Sequence, residues 1–111
     1  MAAGHAIAPQ NPVILNNLGM CQMLNNEYGP ALKCFMEATK LAPANARYQA
    51  NMAVALGMLG EYDLALDVYK NTVPAAEAHY NLAVLCEARK DSQRAEQEFR
   101  RAANLGLKLP D

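Results

Sequence analysis

The sequence predicts an all-α fold, a superhelical solenoid of three helix-turn-helix repeats. Three observations carry that reading. The 111 residues include 21 Ala, 14 Leu and 6 Met but only 2 Phe and no Trp, which favours closely packed helices and nearly excludes a β-sandwich or barrel. The triplets Asn17-Leu18-Gly19, Asn51-Met52-Ala53 and Asn81-Leu82-Ala83 recur at spacings of 34 and 30 residues, a period that marks a repeat architecture. Downstream of each triplet the small and aromatic residues keep their offsets. Ala31 matches Ala65 and Ala95, Phe35 matches Tyr69 and Phe99, Ala38 matches Thr72 and Ala102, and Tyr28 matches Tyr62.

Each unit reads as two helices. The first runs from about Pro12 to Leu24, with Pro12 in the first turn, where its missing N–H costs nothing. Asn25-Asn26-Glu27 forms the turn, and the second helix covers about Tyr28 to Leu41, with Pro30 tolerated in its first turn. Ala42-Pro43-Ala44-Asn45 ends the unit, and Asn45 is placed to cap the next helix, about Ala46 to Leu59. Gly60 supplies a left-handed exit. The fourth helix, about Tyr62 to Asn71, is short, and Thr72-Val73-Pro74 replaces a longer exit. The fifth covers about Ala75 to Arg89, and the sixth, capped by Asp91 or Ser92, reaches about Asn104 before Gly106 and Pro110.

On these residues the chain resembles the tetratricopeptide repeat family. Unit one carries Leu15, Leu18, Gly19, Tyr28, Ala31, Phe35, Ala38 and Pro43 at signature places. Unit two keeps Gly60, Tyr62, Ala65 and Tyr69, and unit three keeps Ala95, Phe99 and Ala102. Both later units have Ala, at 53 and 83, where the signature has Gly. The resemblance covers about residues 12 to 105 and implies stacked helix pairs, none of which buries a core alone. Gly19, Ala53 and Ala83 would then let paired helices approach closely, with Phe35, Tyr69 and Phe99 between pairs. The expected division is a leader over 1–11, repeats over about 12–45, 46–74 and 75–106, and a tail over 107–111.

Charge and composition narrow the function. Ten Lys+Arg against eleven Asp+Glu give a formal net charge of -1, with no dense basic patch for a nucleic-acid backbone. No apolar run is long enough to span a bilayer. Three cysteines without a close pair do not make a disulfide framework. Residues 13–21 superficially suggest a signal segment ending in a lipidated Cys21. No Lys or Arg precedes Lys33, Asn16 and Asn17 interrupt the apolar stretch, and Met20 is too large for the preceding position. A helix explains the segment better. As given, the chain reads as cytoplasmic.

The resemblance further implies a concave face built by the first helix of each pair, where the family commonly holds a peptide. Asn17, Asn51 and Asn81 fall at one repeat position there. An Asn amide offers two donors and an acceptor, enough to hold a peptide backbone without demanding a sequence. The same face is expected to carry Val13, Asn16, Met20, Met23 and Leu24 in the first unit, Arg47, Ala50, Val54, Gly57 and Met58 in the second, and Glu77, Tyr80, Val84, Glu87 and Ala88 in the third, and methionines suit an adaptable groove. The expected partner-binding set is Asn17, Asn51, Asn81, Met20, Arg47, Val54, Met58, Tyr80 and Val84. Two plainer uses stand beside this one. The asparagines could join neighbouring helices, and the Met and Val residues could be core. The clamp for C-terminal carboxylates found in chaperone-binding members is disfavoured, since Glu77 and Glu87 would repel such a group and Arg47 alone does not restore it.

Nothing points to catalysis, a metal or another cofactor. His5 lies in the leader, and His79 lies in the fifth helix away from any repeated acidic partner. Cys21, Cys34 and Cys86 are expected as small buried residues without metal-ligand spacing. Arg89, Lys90, Arg94, Arg100 and Arg101 alternate with Glu87, Asp91, Glu96 and Glu98, the pattern of a solvated helical face.

Residues 72–78, followed by Asn81-Leu82-Ala83, also resemble the last repeats of lipoproteins that assist assembly of tight-adherence (Flp) pili. That resemblance implies a pilotin-like assembly factor, periplasmic or held at the outer membrane. The main expectation is a non-enzymatic scaffold or adaptor for a protein or peptide partner. A third alternative is self-association through the solenoid ends, where Leu105, Leu107 and Leu109 offer an apolar edge.

Overall fold

The computed structural model describes residues 10–108. Those residues form six α-helices and no strand. They are α1 Pro12–Leu24, α2 Tyr28–Leu41, α3 Ala46–Met58, α4 Tyr62–Lys70, α5 Ala75–Ala88 and α6 Ser92–Asn104. The molecule measures 52 × 28 × 21 Å, the elongated outline of stacked helix pairs rather than a ball. Most of the proposed leader, including His5, and Leu109 and Pro110 in the tail lie outside the described residues.

Local sequence sets the ends. Oδ1 of Asn11, a residue assigned to the leader on sequence, accepts from the Val13 N–H at 2.8 Å and caps α1. Oδ1 of Asn45 accepts from the Tyr48 N–H at 3.2 Å, as expected for α3. Asp91 rather than Ser92 caps α6, accepting from the Arg94 N–H at 3.2 Å. Each pair turns through one residue in the left-handed region: Asn26 at φ 61°, Gly60 at 85° and Lys90 at 63°. The following N–H then reaches back six residues inclusive, Glu27 to Gln22 O, Glu61 to Leu56 O and Asp91 to Cys86 O, closing a Schellman turn. Helix α4 is short because the N–H groups of Thr72 and Val73 both bond Tyr69 O, and Pro74 then stands as the N-cap of α5.

The small residues sit at the helix crossings. Ala31, Ala38, Ala53, Ala65, Ala83 and Ala102 are fully buried. A Cβ on Gly19 would lie 2.6 Å from the Phe35 ring, so Gly is what lets α1 settle on α2. Gly57, expected on the concave face, is buried instead, and its missing Cβ makes room for Leu85 of α5. Successive helices pack on one another, and α3 also touches α1 and α5. Phe35 and Tyr69 are buried, whereas Phe99 is half-buried, lying edge-on to Tyr80 with ring centroids 5.6 Å apart.

Three expectations fail here. Glu98 is not on a solvated face but is fully buried. Its Oε1 lies 2.7 Å from Nδ1 of His79, so His79 does have an acidic partner. Its Oε2 accepts from Arg94 Nε at 2.7 Å and from Arg101 Nη1 at 2.6 Å. The register of α6 on α5 turns Glu98 inward with Ala95 and Ala102, where Arg94 and Arg101 balance its charge and all three donors satisfy its oxygens. Burial alone would raise its pKa. The hydrogen bonds from His79 and Arg94 and the charges of Arg101 and Arg94 outweigh that and hold it below the usual value. Thirdly, Cys21 is exposed and Cys34 half-buried, and only Cys86 is buried. Cys21 lies at the place of Ala55 in α3, which is covered because α2 precedes it.

Candidate functional site

The first helices of the pairs, α1, α3 and α5, carry every residue of the expected binding set. Near the crossing of α1 and α3 the structure has a hollow of about 230 Å³, lined by Met20, Met23, Leu24, Phe35, Asn51 and Val54. Three of those residues, Met20, Asn51 and Val54, belong to the set expected from sequence. No charged side chain lines the hollow.

The remaining members are placed differently. Arg47 and Asn17 are exposed, Val84 is exposed on α5, and Asn81 and Tyr80 are half-buried. None of the five lines the hollow. Met58 packs against the core cluster of Ala53, Ala65 and Leu82, as does the inner side of Val54. Tyr80 is engaged with Phe99.

The asparagines do not act as a uniform ladder. Nδ2 of Asn51 donates to Oδ1 of Asn16 at 2.7 Å, and Asn16 Nδ2 lies 3.6 Å from the sulfur of Met20. Asn16, projected onto the concave face but left out of the expected partner-binding set, is buried. Asn51 therefore joins α1 to α3, and one of its amide hydrogens and its side-chain oxygen make no hydrogen bond among the described residues. Sequence reasoning also missed Phe35 as a floor of the hollow, since it was assigned wholly to packing. The signal was available: with Gly19 above it, the Phe35 ring reaches through to the α1 side.

Two of the three thiols, Cys34 and Cys86, are held in the neutral form. Burial pushes Cys34 up, and its Sγ donates to Gln22 Oε1 at 3.3 Å. Burial also pushes Cys86 up, against the opposing charge of Arg94. Both are thereby kept as neutral thiols rather than nucleophilic thiolates. The His79–Glu98 contact is buried between α5 and α6 and does not line this hollow.

A family model described as tetratricopeptide repeat matches residues 13–45 and 76–105. The protein bimA of Emericella nidulans is 37% identical over 86 residues, spanning 71% of this chain but 10% of that protein. Among solved structures, MamA MSR-1 aligns with a TM-score of 0.63 at 24% identity, covering 88% of this chain and 59% of that one. MamA AMB-1 aligns with a TM-score of 0.64 at 24% identity, covering 88% and 60%. At that identity the MamA structures speak for the fold alone. No described helix is long and apolar enough to cross a membrane. With both outer repeats matched and three stacked helix pairs in place, the chain belongs to the tetratricopeptide repeat family.

Proposed function

We propose that this chain is a non-enzymatic scaffold that holds an apolar segment of a partner protein against α1 and α3. The observation that carries the reading is the uncharged hollow of about 230 Å³ at Met20, Asn51 and Val54. It falls below the ~300 Å³ low end of small-molecule sites, which favours one large side chain projecting from a peptide. Methionine walls adapt to different shapes, so the anchor is defined by size and apolarity more than by outline. The open donor and acceptor of Asn51 would bond the backbone beside that anchor. Asn17, Asn81, Tyr80 and Val84 extend the contact along the concave face, and Arg47 favours an acidic residue at the α3 end of the segment.

The test is selection of peptides from a displayed random library on the wild-type chain, followed by binding to variants. Met20 is 49% exposed, so Met20→Glu should fold normally while charging the hollow. Leu64, 52% exposed on α4, gives the control Leu64→Glu. Selected peptides should share a large apolar residue, lose affinity at least about tenfold for Met20→Glu and keep it for Leu64→Glu. Peptides that bind both variants alike would refute the groove assignment. Asn51→Ala is the weaker variant, because it also strips Asn16 of its partner.

A further inference from the structure

We infer that copies of this chain stack end to end, the outward face of α1 in one copy seating on α6 of the next. The inference goes beyond the groove and uses other residues. Inside the chain the same joint is made twice, where α3 packs on α2 and where α5 packs on α4. The incoming helix uses one face each time: Tyr48, Met52 and Ala55 in α3, and Ala78, Leu82 and Leu85 in α5, all buried or half-buried. The corresponding residues of α1, one repeat earlier, are Ile14, Leu18 and Cys21. All three are exposed, Ile14 at 52% and Leu18 at 46%.

The receiving side is matched as well. Leu32 and Phe35 of α2, and Leu66 and Tyr69 of α4, lie in the clusters that receive α3 and α5. Their counterparts in α6 are Glu96 and Phe99, with Ala103 one turn further on. These line an open hollow of about 310 Å³ together with Ala95, at the place a following helix would fill. Among the described helices, α1 thus carries the face that α6 is shaped to receive. The two surfaces differ, so pairing is heterologous and leaves a free end on each copy, which gives open chains rather than closed dimers.

Composition points to the same occupant. Helix α1 has no charged residue from Pro12 to Leu24, and its apolar residues are spread round its whole circumference. A helix apolar all round is one that is covered on all sides. Being neutral, it meets no like charge at Glu87, Glu96 or Arg100 around the α6 hollow. Glu96, paired to Arg100 at 3.5 Å, is the one departure from the leucines at the equivalent positions. It makes the joint weaker than the two internal ones. Stacking would also continue the concave face from α5 of one copy to α1 of the next.

The experiment is sedimentation analysis of the full chain over a wide concentration range. Wild type should show mass rising past a dimer, and Glu96→Leu should associate about tenfold more tightly. Leu18→Glu and Ala103→Glu change exposed positions at opposite ends, so both should fold and both should stay monomeric. Mixed in equal amounts, they should form a dimer of one copy of each and nothing larger, because each retains one intact face. A wild type that stays monomeric at all concentrations would overturn the inference. So would continued self-association of Ala103→Glu, which would mean that α1 faces pair with each other. Peptide binding through Met20 is measured separately, so failure here leaves the groove reading standing.

Discussion

His79 Nδ1 and Glu98 Oε1 meet at 2.7 Å between α5 and α6, beneath Arg94 and Arg101. The corresponding positions are Leu15 and Cys34 in the first pair and Gln49 and Val68 in the second. Only the third pair is therefore fastened by a buried carboxylate. With Glu98 ionised, its oxygen accepts and the imidazole N–H donates. Removing the carboxylate strands three donors. Glu98→Ala should cost about 3 kcal/mol, toward the low end for a broken buried ion pair because Arg94 and Arg101 still reach water. Urea denaturation checks this.

The same carboxylate gives a pH dependence. Its folded pKa is depressed, so its contribution is fully present above the ordinary value of 4.5 and is lost as the pH falls through the lower folded value. Wild type should therefore weaken on going from neutral pH to about pH 3. Glu98→Gln should be less stable at neutral pH and show a flatter acid limb. An unchanged acid limb in that variant would mean that other groups carry it.

Gly to Ala should act with opposite sign at two sites. A methyl at Gly19 would meet the Phe35 ring at 2.6 Å, and that ring is 1% exposed with little room to move. Gly19→Ala should cost about 1 kcal/mol or more, and should also disturb the hollow that Phe35 lines. At Gly29 nothing lies within 4 Å of the added Cβ. Gly29→Ala should stabilise α2 by about 0.5–1 kcal/mol. Thermal melts of the two variants decide it.

Lys90 holds φ 63° at the place where the other two turns use Asn26 and Gly60. A lysine there bears a left-handed cost of about 1 kcal/mol. Lys90→Gly should recover part of it and raise the melting temperature, with no change in helix content by circular dichroism.

Oγ1 of Thr39 is buried without a hydrogen-bond partner among the described residues. Val73 stands at the same repeat position on the next pair. Thr39→Val keeps the shape and removes the stranded hydroxyl, and should stabilise the chain by about 1 kcal/mol.

The fold was legible because its signals are local. Asn45 before an apolar helix, Gly60 at a turn and the shortened spacing before Asn81 each act within a few residues, and the caps, the turn and the nine-residue α4 follow from them. The site was half legible, because facing depends on how helices are rolled against each other. A one-position difference separates Asn16, which is buried and bonded to Asn51, from the exposed Asn17. Glu98 was hidden for the same reason. Its charge resembles a solvent face, yet it shares the inward stripe of Ala95 and Ala102, with Arg94 and Arg101 one turn away on either side. That stripe was the available signal.

The groove itself is tested most directly by methyl NMR of methionine-labelled protein titrated with a library-selected apolar peptide. Met20 and Met23 line the hollow, whereas Met36 is 51% exposed on α2, away from it. The Met20 and Met23 methyl signals should shift with saturation while Met36 stays fixed. Saturable binding that moves Met36, or that leaves Met20 and Met23 unmoved, would contradict a partner seated between α1 and α3.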